Sequence, residues 1–219
     1  EATRLIELGR LEFDQSRYDE ALVCFQEAIE HFKSHGDRAG EGKALNRIGT
    51  VYHELGKLDE AIVRLTAAIA IAEETGDKNS EALNLGNLAN VFMEQGKYNQ
   101  AVTQLSRSIG ISRDLGNKRQ EGINLGNLAN AYHNQAQNDK AIEHYTQAIC
   151  IAREIGDKHT ESINVGNLGS VYLNQAQYNK AIEQLNQAIR IAREIGNKRS
   201  ESFHLGNIAR VYKSQTQYN

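Results

Sequence analysis

The sequence predicts an all-α fold, a solenoid of antiparallel helix pairs, and three observations predict it. The first is a period of 40 residues, in which Ala21, Ala61, Ala101, Ala141 and Ala181 head the same motif five times. A fixed period of this size builds a stack of like units rather than one globular core. The second is that each unit holds two runs whose apolar residues recur at the three-and-four spacing of a helix face. The third is the absence of proline from all 219 residues, which removes the strongest helix breaker. Breaks must then come from glycine and from Asn/Asp caps.

The elements follow in order. The first unit, 1–38, places Gly9 on one helix and Ala21 on the next and stops at Gly36-Asp37-Arg38. The second, 39–78, repeats this with Gly49 and Ala61 and stops at Gly76-Asp77-Lys78. The third, 79–118, is the clearest. Its first helix is expected over about Ser80 to Glu94, with Leu85, Leu88, Ala89 and Phe92 on one apolar face. Gln95-Gly96-Lys97 makes the turn, and a second helix runs from about Asn99 to Leu115 through Ala101, Val102, Leu105, Ile109 and Ile111. Gly116 ends it and Asn117 caps the next helix. The fourth and fifth units, 119–158 and 159–198, follow the same plan with Ala129 and Gly169 at the first-helix contact. A lone first helix of a sixth unit, 199–219, carries Ala209 and covers the last pair. Small residues at these positions let the two helices of a pair approach closely.

Composition excludes several classes. A formal net charge of −3 with 24% charged residues gives neither a nucleic-acid-binding nor a strongly acidic character. No stretch approaches the roughly 18 apolar residues that span a bilayer. The chain begins at Glu1 and is expected to be part of a longer protein, so a missing targeting segment carries no weight. Cys24 and Cys150 lie in units too far apart along a stack to be bridged, which points to a reducing, cytoplasmic setting.

At Leu88-Ala89-Asn90-Val91-Phe92, Gly96-Lys97-Tyr98 and Ala101, and again at Ile48-Gly49-Thr50-Val51-Tyr52, Gly56 and Ala61, the pattern resembles the tetratricopeptide repeat. The resemblance covers essentially the whole chain. It implies a right-handed superhelix of about eleven helices. The usual repeat has about 34 residues, often closing on proline, whereas this one has 40 and closes on Gly-Asp/Asn-Lys. The longer variety is similar to LGN/Pins-type cell-polarity adaptors and to bacterial and cyanobacterial arrays. Ala136, Ala176 and Thr216 stand where the turn glycine is usual, and Glu12 beside Phe13 where the aromatic is.

The resemblance implies that the first helices line a concave surface on which ligands lie. One row on that surface reads Glu7, Arg47, Asn87, Asn127, Asn167 and Asn207, and the next reads Arg10, Thr50, Asn90, Asn130, Ser170 and Arg210. A flanking row reads Asn84, Asn124, Asn164 and His204, and a further one Phe13, His53, Met93, His133, Leu173 and Lys213. Asparagine is a mediocre helix former, so such a ladder needs a reason. A carboxamide both donates and accepts, so a row of them can grip an extended peptide backbone whatever its side chains. The resemblance points the same way. The alternative is that the asparagines bond to one another or to the adjacent repeat. Gly86, Gly126, Gly166 and Gly206 precede the ladder and mark either close helix packing or room for a ligand backbone. Lys43, Arg47 and Thr50 partly resemble a carboxylate clamp, with threonine in place of the family's asparagine.

Among the seven histidines, His53 and His133 hold equivalent positions but stand two repeats apart, too far to share an ion. No catalytic triad context, phosphate loop or strand-led GxGxxG is present, and basic residues lack stacking aromatics. The expected function is therefore a protein-interaction scaffold. It binds a peptide or helical segment through Asn87, Asn90, Asn127, Asn130, Asn167 and Asn207 with Arg47 and Arg210, without metal, cofactor, nucleic acid or membrane insertion. The other reading is a sensor, regulatory or self-association arm of a larger signalling protein, acting through exposed terminal helices.

Overall fold

A computed structural model describes residues 1–217, and the expected end of the last helix at Tyr218 and Asn219 lies outside the described residues. The described residues form eleven helices and no strand. They are α1 (Ala2–Asp14), α2 (Tyr18–Ser34), α3 (Arg38–Glu54), α4 (Leu58–Thr75), α5 (Lys78–Glu94), α6 (Tyr98–Asp114), α7 (Lys118–Asn134), α8 (Asn138–Glu154), α9 (Lys158–Asn174), α10 (Tyr178–Glu194) and α11 (Lys198–Gln217). Two compact units divide them: Glu1–Leu115 with α1 to α6, and Gly116–Asn219 with α7 to α11.

The stop sequence that ends one repeat starts the next. Glycines 36, 76, 116, 156 and 196 take positive φ between 67° and 70°. The Asp or Asn after each then accepts a hydrogen bond from the backbone N–H three residues on. Asp37 to Gly40, Asp77 to Ser80, Asn117 to Gln120, Asp157 to Thr160 and Asn197 to Ser200 span 2.8–3.1 Å. Each bond satisfies a donor that the helix start would otherwise leave open. With Asp77 as cap, α5 begins at Lys78, two residues before the expected start.

Within each pair the small residues lie at the crossing. Ala21, Ala61, Ala101, Ala141 and Ala181 have no exposed surface. A Cβ on Gly9 would come within 2.6 Å of Phe25, on Gly49 within 2.7 Å of Leu65, and on Gly169 within 2.9 Å of Leu185. The core of unit 1 includes Phe25, Ile29, Leu45, Ile48 and Val51, and that of unit 2 includes Tyr145, Ile149, Val165, Leu168 and Val171. Truncating one such Leu or Ile to alanine costs about 2–5 kcal/mol.

A column of glutamates ties neighbouring helices at their N-terminal turns. Glu161 is almost fully buried, and Arg153 of α8 and Lys158 bind it at 2.6 Å and 3.1 Å. Glu201 receives Arg193 and Lys198 in the same way. In unit 1 the pattern changes, because Glu73 stands where Arg153 and Arg193 stand later. Arg107 of α6 then bridges Glu73 and the buried Glu81, which also holds Lys78 at 2.7 Å. Burial raises the pKa of Glu81 and of Glu161, but the cationic hydrogen bonds outweigh it and leave both below the ordinary value.

Candidate functional site

In unit 1, α3 packs directly on α5, and in unit 2, α7 packs on α9 and α9 on α11. Among the described residues the second helices of successive repeats make no comparable contact, so first helices form the tighter side of each unit. The ladder residues lie on that side. Asn87, Asn90, Asn127, Asn130 and Asn167 are half-buried, Asn207 is buried, and Arg47 and Arg210 are exposed.

Unit 2 shows what these amides touch. Asn167 donates to Asn130 Oδ1 at 3.3 Å, and Asn207 donates to Ser170 Oγ at 3.4 Å while accepting from Arg210 at 3.4 Å. Asn130 also accepts from the phenol of Tyr145. Tyr145 is fully buried where the other repeats have Phe25, Leu65, Leu105 and Leu185, and burial raises its pKa well above the ordinary value. A buried phenol needs a partner, and Asn130 supplies it. The amides thus bond from repeat to repeat and still present half-exposed polar surface.

The flanking row does not face the open surface. Asn84, Asn164 and His204 are buried against the preceding first helix. Asn46 donates to Asn84 Oδ1 at 2.6 Å. Asn164 and His204 instead rest on Gly126 and Gly166, where a Cβ would meet Asn164 Oδ1 at 2.5 Å and His204 Cε1 at 2.1 Å. Glycine at these two positions makes room for a side chain of the next repeat. His204 Nε2 lies 3.4 Å from Ser162 Oγ, its Nδ1 has no hydrogen-bond partner among the described residues, and burial lowers its pKa. In the further row, His53 reaches Glu94 at 2.7 Å and His133 reaches Asn174 at 3.2 Å, each in the next repeat.

A second row was not singled out from the sequence. Leu83, Ile123, Ile163 and Phe203 stand four residues before the ladder asparagines and are 37–58% exposed. Lys43 holds the equivalent place in the second repeat. The signal was an apolar column at the 40-residue period, which on a helix reads as core. Cavities open beside this row in both units. One of about 260 Å³ is bounded by Ile6, Lys43, Arg47 and Leu83, and one of about 490 Å³ by His159, Ile163, Asn167, Arg199, Phe203 and His204.

Cys24 and Cys150 are both free, the first buried and the second exposed. Among the described residues no three His, Cys, Asp or Glu side chains gather as a metal site, and no helix is long and apolar enough to cross a membrane.

A family model described as tetratricopeptide repeat matches residues 1–74 and 80–154, and a second of the same description matches 165–195. A search of curated proteins found no match. Among solved structures, the chain is similar to a signal transduction ATPase with numerous domains and a tetratricopeptide-repeat sensor from Pyrococcus horikoshii. The identity is 21% and the TM-score 0.85, over 95% of this chain and 32% of that one. It is similar to aspartyl phosphate phosphatase F of Bacillus subtilis at 15% identity and TM-score 0.87, over 98% of this chain and 56% of that one. It is also similar to the Rap conjugation gene regulator of plasmid pLS20, solved with the Phr* peptide, at 14% identity and TM-score 0.73, over 98% and 62%. The chain therefore spans about a third of the ATPase and little more than half of the other two. At these identities the likeness establishes the fold.

Proposed function

We propose, from the premise that this chain belongs to the tetratricopeptide-repeat family, that it is a protein-interaction module holding a peptide or helical segment of a partner against its first helices. The observation that carries this reading is the paired strip on that side. Exposed Leu83, Ile123, Ile163 and Phe203 run beside half-buried Asn87, Asn127 and Asn167 in both units. Apolar surface gives a partner something to bury, and carboxamides give its backbone donors and acceptors. A groove preformed by helix stacking lowers the ordering cost of binding. The Rap regulator solved with a peptide has the same fold, which supports a peptide ligand here. The reading assigns the chain no catalytic role.

A panel of random labelled peptides, panned against the chain, supplies the test. Replacing Asn87, Asn127 and Asn167 together by alanine is expected to weaken the selected peptides by about tenfold or more, with helicity by circular dichroism unchanged. Full binding by that triple variant would remove the asparagines from the site.

A further inference from the structure

Two carboxamides that face each other can pair in either sense, because each carries an acceptor oxygen and a donor NH2 group. Inside unit 2 a phenol chooses the sense. Asn130 of α7 meets Asn167 of α9, and Tyr145 of α8 reaches the pair from the core. Tyr145 is 1% exposed, so its O–H has to find an acceptor within the protein. Asn130 Oδ1 is that acceptor, and the same oxygen takes Asn167 Nδ2 at 3.3 Å. In the reverse sense Asn130 would set its own NH2 against the phenol. The phenolic proton would then have to turn away from its nearest neighbour, which is costly for a buried donor.

The chosen sense carries through to the open side. Asn130 and Asn167 are both half-buried. Among the described residues Asn130 Nδ2 and Asn167 Oδ1 have no protein partner. The face of α7 therefore offers a donor and that of α9 an acceptor. The other repeats lack this device, because Phe25, Leu65, Leu105 and Leu185 at the place of Tyr145 have no polar side-chain atom. Hydroxyls at the place of Asn130 spend their proton on their own helix. Ser170 donates to the Gly166 carbonyl at 3.3 Å, and Thr50 to that of Asn46 at 3.1 Å.

Resting on the peptide-binding reading, we infer that Tyr145 is a positioning residue, one that holds Asn130 as donor and Asn167 as acceptor toward a segment lying across α7 and α9. A backbone carbonyl of that segment fits at Asn130 and a backbone N–H at Asn167. Tyr145 is too buried to touch the segment and acts only through the two amides. A carboxamide already fixed in one sense loses less freedom on binding than one free to turn.

The test uses the whole chain and one labelled peptide recovered from the panned panel, chosen because the triple asparagine variant does not bind it. Tyr145→Phe removes only the phenolic oxygen. It is expected to weaken the peptide by about five- to tenfold in fluorescence anisotropy, and to have no further effect in an Asn130→Ala background. Asn130→Asp keeps an acceptor for Tyr145 and Asn167 but turns the outward donor into an acceptor. It is expected to keep the helicity and to weaken the peptide by about tenfold or more. Without peptide, the side-chain carbonyl carbon of Asn130 is expected to change its NMR shift in Tyr145→Phe.

Full binding by Tyr145→Phe or by Asn130→Asp overturns the inference. The peptide reading survives that result, because the triple variant still fails to bind. Additive losses in Tyr145→Phe and Asn130→Ala also overturn it, since the phenol would then act through packing. An unchanged Asn130 carbonyl shift in Tyr145→Phe overturns it without any peptide. If panning recovers no peptide that depends on the asparagines, the peptide reading itself falls and the inference with it.

Discussion

At one register of the first helix, the two units join successive repeats by different means. Unit 1 sets Asn46 against Asn84, amide to amide, at 2.6 Å. Unit 2 puts glycine at the equivalent positions, Gly126 and Gly166, and lays Asn164 and His204 over the bare backbone. Glycine inside a helix costs about 1 kcal/mol against alanine, so its place here is explained by the side chain above it. The repeats therefore share their helix pairs, with the same caps and the same small residues at the crossing, while the seam between pairs is solved locally. The inner charge differs in step, mixed in unit 1 and free of exposed carboxylates on the first helices of unit 2.

The largest effect on this comparison is expected from Gly166→Ala. The new Cβ would fall 2.1 Å from His204 Cε1 and 2.4 Å from Nδ1. An imidazole has no flexible end to withdraw, so α11 must shift. Overpacking costs about 1–3 kcal/mol, and better helix propensity returns about 1 kcal/mol of it. The expected outcome is faster hydrogen exchange in α11 with α3 and α5 unchanged. Adding His204→Asn restores the residue found at Asn84, Asn124 and Asn164 and should recover part of the loss. Undisturbed exchange in Gly166→Ala would show that the glycine is not required by the seam.

A smaller effect follows from acid. Burial holds the pKa of His204 below its ordinary 6.5. The unfolded chain takes up this proton at the ordinary value and the folded chain resists it. Stability is therefore full above about 6.5 and falls as pH drops through the lower folded value. Unit 1 has Ala44 and Asn84 at this place, neither of which titrates. Its buried Glu81, with a lowered pKa, contributes stability that is lost only as pH falls below the ordinary carboxylate value of 4.5 and through the folded one. Between pH 7 and about 5, exchange in α11 should rise while that in α5 stays level. His204→Asn should flatten the response; a response that persists in this variant would assign it to another group.

The helix pairs were legible because each rests on local chemistry: Asp77 before Lys78, Gly116 with its positive φ, Ala101 at the crossing. The seam was not, because it is made by a contact 38 residues on, from Asn46 to Asn84 and from Gly166 to His204. A period of 40 residues aligns copies and says nothing of which side chain leans on which copy. Asn84, Asn164 and His204 therefore read as part of an open surface, and the fold buries them. Tyr145 in a column otherwise of Phe25, Leu65, Leu105 and Leu185 was a visible sign that a polar partner such as Asn130 would be needed inside the protein. The column of Glu41, Glu81, Glu121, Glu161 and Glu201 was equally visible, but the arginines that bind Glu81, Glu161 and Glu201 come from neighbouring second helices.

The smallest effect is expected at the turns within pairs. Unit 1 uses Gly56 and Gly96 there, at φ of 70° and 71°, with Ser16 at 59° in its first turn. Unit 2 uses Ala136 and Ala176, at 57° and 55°. Left-handed backbone costs an L residue about 1–2 kcal/mol, and glycine avoids that at the price of about 0.5–1 kcal/mol of unfolded-chain entropy. Nothing lies within 4 Å of a Cβ placed on Gly56 or Gly96, so packing does not choose the residue. Backbone strain alone then sets the sign. Ala136→Gly and Ala176→Gly should each raise stability by about 0.5–1 kcal/mol, and Gly96→Ala should lower it by a similar amount. Urea midpoints at constant m-value measure both. If glycine at Ala136 lowered the midpoint, the alanine turns of unit 2 would be relaxed, and the two units would differ in their seams and their charge but not in their turns.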